Sequence, residues 1–203
     1  MNALDFKHLK GDENWINPCL IHKEDSGLKE RLFAGEEYFN NWAGDTLILG
    51  QDSRGVSIKD RNLYFGQNPD MPFNKLILKT FSDFNAVLGN VFWFYRVGRT
   101  TGNFKKMSKN VESSNKMILK KTINEMKNLK KIFCLGKNSY SVFCSQMNID
   151  FKKIFFSSSK MNDITVYCLP HPGYHGILNL QKEMKITRKD AEIVFSNFIK
   201  SLI

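Results

Sequence analysis

The chain has 203 residues, with 30 Lys and Arg against 20 Asp and Glu, a formal charge of +10 and a pI near 9.4. No apolar run reaches the ~18 residues that a membrane-spanning helix needs, and Met1 to Asn14 is too polar for a secretory signal, so a cytoplasmic location is expected. The basic balance favours a polyanionic partner, nucleic acid before an acidic membrane surface.

Leu28 to Trp42 is predicted to be a helix, with Leu28, Leu32, Phe33, Tyr38, Phe39 and Trp42 on its apolar face and Gly44 as its stop. Thr46–Gly50 reads as a first strand that ends at the polar loop Gln51-Asp52-Ser53-Arg54. A Gly- and Asn-rich loop follows, broken by the short extended run Asn62–Phe65. A helix is predicted from Phe73 to about Leu88, with Pro72 suited to its first turn. Asn90–Val97 is a second apolar strand, and Arg99–Lys109 a basic loop. Val111, Leu119, Ile123 and Met126 recur at helical spacing. Ile132–Gly136 is a third strand, Tyr140–Met147 opens a helix, and Ile164–Leu169 is a fourth strand. Thr187 with Asp190 forms a capping box for the last helix, whose buried stripe is Ala191, Phe195, Phe198 and Leu202.

Nearly continuous apolar strands alternating with helices predict an α/β fold. The expected architecture is a three-layer αβα sandwich around a central four-stranded parallel sheet. No repeat or linker divides the chain. A single domain over 1–203 is expected, with a helical segment 1–43 and a core 44–203. Between Arg96 and Lys131, eleven Lys and Arg face only Glu112 and Glu125. The bland reading is a solvated helix face. The functional reading is a surface for phosphates. The four cysteines contain no CxxC pair, and Cys134 and Cys168 fall inside apolar strands, so they read as core thiols. Cys19 and His22 lack a second ligand pair for zinc. No metal, cofactor or partner subunit is expected, and the chain is read as a monomer.

Two strands end in chemistry. Leu47-Ile48-Leu49 runs into Gly50-Gln51-Asp52, and Val166-Tyr167-Cys168-Leu169 runs into Pro170-His171-Pro172-Gly173. Open α/β sheets bind ligands outside the carboxyl ends of their strands. An acid and an imidazole facing one crevice suit cleavage of an N-glycosidic bond. The carboxylate stabilises positive charge on the sugar and orients or deprotonates water, while the imidazole donates to a carbonyl of the departing base. An aromatic face holds an extruded base, and Phe65 is the candidate. The plainer alternatives are a turn-forming Asp52, a loop histidine at 171 and a core Phe65.

In order and spacing these segments resemble the uracil-DNA glycosylase superfamily, over about residues 44–180. Gly50-Gln51-Asp52 resembles the Gly-Gln-Asp-Pro loop of its uracil-specific branch, and Phe65 follows near the position of the base-stacking Phe. Pro72 and Asn74 fall at the phosphate-contacting loop. Phe133-Cys134-Leu135-Gly136-Lys137 is similar to the strand ending in Gly plus a polar residue, which brings Lys137 to the DNA side. His171-Pro172-Gly173 resembles the His-Pro-Ser loop. Tyr174-His175-Gly176-Ile177 occupies the stretch where the family inserts a wedge into the gap left by the flipped nucleotide. The resemblance implies a monofunctional DNA glycosylase with Asp52 and His171 catalytic. Gln51, Ser53, Arg54, Phe65 and Tyr95 would line the base pocket. Asn74, Arg96, Arg99, Lys105, Lys106, Lys137, Tyr174 and His175 would contact DNA. A rival alignment places Gly66-Gln67-Asn68-Pro69 on the Gly-x-Asn-Pro loop of the mismatch-specific branch.

The departures bear on the substrate. Ser53-Arg54-Gly55 stands where the uracil branch has Pro-Tyr, and Tyr95, followed by Arg96, falls at the position of its base-reading Asn. Losing a paired amide reduces discrimination for plain uracil. The expected substrate is therefore a modified or damaged pyrimidine. A hypermodified cytosine of phage DNA is one example, with a role in antiviral defence. The alternatives are a conventional uracil-DNA glycosylase of base-excision repair and a catalytically inactive DNA-binding relative. A nucleotide hydrolase is disfavoured because no Gly-rich phosphate loop is present.

Overall fold

The computed structural model describes residues 3–18, 41–54, 72–96 and 107–203. In chain order these form a 3-10 turn (Ala3–Phe6), β1 (Trp15–Ile16), β2 (Thr46–Arg54), α1 (Pro72–Phe81), β3 (Ala86–Arg96), α2 (Lys109–Glu125), β4 (Lys131–Leu135), α3 (Lys137–Met147), β5 (Ser158–Met161), β6 (Ile164–Leu169), α4 (Tyr174–Met184) and α5 (Arg188–Lys200). The strands make one six-stranded sheet in the order β1-β3-β2-β4-β6-β5. The four inner strands are parallel, while β1 and β5 add antiparallel edges. The sheet is therefore mixed, and the purely four-stranded parallel expectation is corrected. Strands of two and four residues are too short to leave a periodic trace in sequence.

Helices cover both faces. In register, Ile48, Phe133 and Tyr167 share one face. Phe81 of α1 packs on Phe133 at 5.9 Å, and Phe198 of α5 reaches Tyr167 at 6.4 Å. The opposite face carries Val91, Trp93, Cys134 and Cys168. There Asn115 of α2 accepts from the Trp93 amide (2.7 Å) and donates to the Val91 carbonyl (2.6 Å). Its amide stands in for a neighbouring strand where β1 is too short to reach. Cys134, Cys144 and Cys168 are buried free thiols; burial pushes Cys144 and Cys168 up to about 12 and Cys134 well above the usual thiol range.

Several boundaries differ from expectation. β2 does not stop at Gly50 but runs to Arg54, because β3 continues beside it and pairs with Asp52 and Arg54 across a register shift. Conversely, α1 ends at Phe81 rather than near Leu88. Residues from Ala86 onward are buried on every side and enter β3, which starts four residues before Asn90. The helix expected from Tyr140 begins at Lys137, directly after Gly136, whose φ of +98° suits glycine. Tyr174 to Ile177 form the first turn of α4 rather than a free loop. The bounds of β6 and the Thr187–Asp190 box are as expected, with the Thr187 hydroxyl accepting from the Asp190 amide at 3.2 Å. Among the described residues, no helix is long and apolar enough to cross a membrane. The helix expected at Leu28 to Trp42 lies outside them up to its last residues. Also outside are Asn62–Phe65, the rival Gly66–Pro69 loop, Cys19 and His22.

Candidate active site

The chain leaves β2 toward β3 on one side, then returns to place β4 on the other side of β2. Neighbouring strands β2 and β4 therefore send their connections in opposite directions, the kind of switch point at whose carboxyl end open α/β sheets bind ligands. Asp52 lies three residues beyond Leu49, the last β2 residue paired with β4. His171 lies two residues beyond Leu169, which pairs with the last residue of β4. The two groups thus reach the same sheet edge, about two strand spacings or ~10 Å apart. Strand alternation assigns Ile48, Gly50 and Asp52 to one face, together with Asn90, Phe92 and Arg96, and with Leu135 and Leu169.

Asp52 is buried and ion-paired. Arg96 Nε lies 3.0 Å from its Oδ2, and the two side chains are 6% and 5% exposed. Arg96 ends β3 and reaches back across the register shift, while its backbone pairs with Trp15 of β1. Sequence reasoning assigned Arg96 to DNA contact; the structure encloses it in the sheet edge beside Asp52.

His171 is held by local backbone. The Gly173 amide donates to Nδ1 at 3.0 Å, so Nδ1 carries no proton and the neutral ring bears its hydrogen on Nε2. Burial holds its pKa below the usual histidine value. The neutral Nε2–H tautomer is the form that can donate to a carbonyl without first losing a charge. Gly173 also N-caps α4, and a Cβ at Gly176 would overlap the His171 carbonyl oxygen. Gly176 thereby lets the first turn of α4 close onto the histidine loop. Sequence reading missed this role, although the doubled glycine around Tyr174-His175 was a visible sign of close backbone approach.

The remaining expected residues divide. Tyr174 is 58% exposed with His175 beside it, ring centroids 5.4 Å apart, and the Arg188 guanidinium of α5 lies 4.9 Å over the Tyr174 ring. That exposed aromatic pair stands at the carboxyl edge next to His171. Lys137 starts α3 at the same edge but is committed within the fold, paired with Glu183 and lying 4.9 Å from the Phe155 ring centroid. Tyr95 is fully buried opposite Ile16 and belongs to the face away from Asp52, so it does not line the same site. Gln51 precedes Asp52 in the strand and faces the same opposite side. Ser53 and Arg54 are part of β2, and Asn74 is in the first turn of α1. Phe65, Arg99, Lys105 and Lys106 lie outside the described residues. Asn90, taken from sequence to sit at the strand's start, is buried mid-strand in register with Gly50.

No family model matches the chain, and no curated protein matches its sequence.

Proposed function

We propose that this chain is a monofunctional DNA glycosylase acting on a modified or damaged pyrimidine. The observation that carries the reading is the placement of Asp52 and His171 at one carboxyl edge, beside the switch point between β2 and β4. In this mechanism the C1′–N bond breaks, the oxygen of water bonds C1′, and one water proton ends on the released base. Asp52 supplies negative charge toward the sugar as it becomes cationic. His171 donates Nε2–H to a base carbonyl as that base becomes anionic, the tautomer favoured by the Gly173 amide on Nδ1. Tyr174 and His175 stack in the duplex gap. The exposed lysines of α2, including Lys109 and Lys120, add non-specific attraction to phosphates. A larger, polar base such as a hypermodified cytosine suits a chain with Ser53 and Arg54 in place of a closing aromatic. Activity on such DNA would serve antiviral defence, and activity on damaged bases would serve repair. Plain uracil is the alternative substrate within the same chemistry.

One observation favours a second reading. The Asp52 carboxylate is almost wholly buried against Arg96, as in an ion pair whose role is to hold strands together. A DNA-binding relative without catalysis would have the same pair.

The deciding experiment is alkali cleavage of an oligonucleotide panel with wild type and Asp52→Asn side by side. The panel holds uracil, deaminated and oxidised bases, and hydroxymethylated or glucosylated cytosines. Wild-type cleavage of one modified base, lost in Asp52→Asn, supports the glycosylase and names its substrate. Cleavage of uracil alone supports the repair enzyme. Salt-sensitive binding that survives Asp52→Asn, with no abasic product, supports the non-catalytic relative.

A further inference from the structure

We propose that Arg96 is a positioning residue that holds Asp52 as a permanent anion. On the reading above, Asp52 then serves as fixed charge and water orienter rather than as proton acceptor. Three observations carry this. Arg96 Nε meets Asp52 Oδ2 at 3.0 Å in a nearly dry environment. Arg96 is fixed on the backbone side as well, since its strand position pairs with Trp15 of β1, and Trp15 packs on Phe92 at 5.0 Å. Phe92 is in turn the register partner of Asp52. Carboxylate and guanidinium thus meet at the ends of β2 and β3, with the Trp15–Phe92 aromatic pair on the strand positions beside them. A guanidinium keeps its positive charge, and at this distance it acts on the carboxylate through that charge rather than through an aligned hydrogen bond. A carboxylate so paired is a weak base, which suits charge stabilisation better than proton removal.

The test follows the Asp52 side-chain carboxyl by carbon NMR through an acid titration, in wild type, Arg96→Lys, Arg96→Gln and the Asp52→Asn control that assigns the signal. Removing a neighbouring cation raises a carboxyl pKa by roughly 1–3 units. The expected result is a wild-type midpoint well below the ordinary aspartate range. Arg96→Lys, which keeps the charge but not the fork geometry, should show a midpoint intermediate between wild type and Arg96→Gln. An Arg96→Gln that fails to fold is replaced by Arg96→Gln in 1 M salt or osmolyte. If it still fails, the wild-type and Arg96→Lys midpoints decide the matter, and equal, unshifted midpoints overturn the proposal. The same proteins are assayed on the oligonucleotide panel. A shift in the carboxyl titration mirrored in the acid limb of base release supports both the pairing role and the glycosylase. The carboxyl shift without base release from any substrate sustains the pairing and sinks the glycosylase. Base release whose pH profile ignores Arg96→Lys and Arg96→Gln overturns the positioning role and leaves the glycosylase standing.

Discussion

On the β2–β3 side of the sheet, Asp52 is held by the opposite charge of Arg96, a residue distant in sequence that arrives only when the strands are in register. On the β4–β6 side, His171 is held by the amide of Gly173, two residues along its own loop. One polar group is fixed by tertiary structure, against a cation. The other is fixed by a local turn and stays neutral. A site that must face positive charge on one partner and negative charge on the other benefits from that split. It also means that the two halves fail in different ways.

The sharpest way to break the comparison is Arg96→Met. It leaves Asp52 buried without its cation and should cost about 3–5 kcal/mol of stability. The double variant Asp52→Asn/Arg96→Met should recover much of that loss, measured by urea denaturation. Near-equal stability of wild type and Arg96→Met would show that the pair is not sealed from water. His171→Gln should leave the fold almost untouched while lowering base release by ~10²–10³. Because burial holds the His171 pKa below its unfolded value of about 6.5, the ring stays neutral on acidification past that point. Base release should therefore hold through pH 6.5 and fall only below it, and an acid limb centred above 6.5 would contradict the neutral tautomer. Asn115→Ala removes the partners of the Trp93 amide and Val91 carbonyl and should cost about 3 kcal/mol, with no effect on the pH profile.

The smallest effect is expected at Asp12. Partial burial pulls its carboxyl up, but hydrogen bonds from the Ser108, Asn14 and Trp15 amides together outweigh burial and leave the pKa below the usual value. Its contribution is present above the unfolded aspartate pKa and is lost as pH falls through the lower folded value. Asp12→Asn should flatten stability over that acidic window and change little at neutral pH, as read from thermal unfolding at stepped pH.

The inner strands were legible because burial on both faces leaves continuous apolar runs, and β6 was placed at both of its ends. The reach of β2 through Asp52 was not, since polar residues at a strand's end look like loop until a longer neighbour supplies their hydrogen bonds. For the same reason Asp52 and Arg96 were found singly and assigned to different tasks. Their pairing depends on register, which one strand's sequence does not carry. Asn115 did leave a signal. It is the polar break in an apolar face that otherwise reads Val111, Ile118 and Leu119, and its meaning appears only beside the open edge of β3.

That amide has a consequence for the molecule in a crowded solution. A long central strand with an unfilled edge invites a strand from another chain. Here the β3 edge is taken at Tyr95 and Arg96 by the two residues of β1 and at Val91 and Trp93 by the Asn115 side chain, which blocks a ladder along that stretch. At the far side the sheet ends in β5, four residues long, whose Lys160 ammonium is turned to the Thr165 hydroxyl of β6. Along these stretches the margins are short or plugged, which disfavours lateral pairing with another chain.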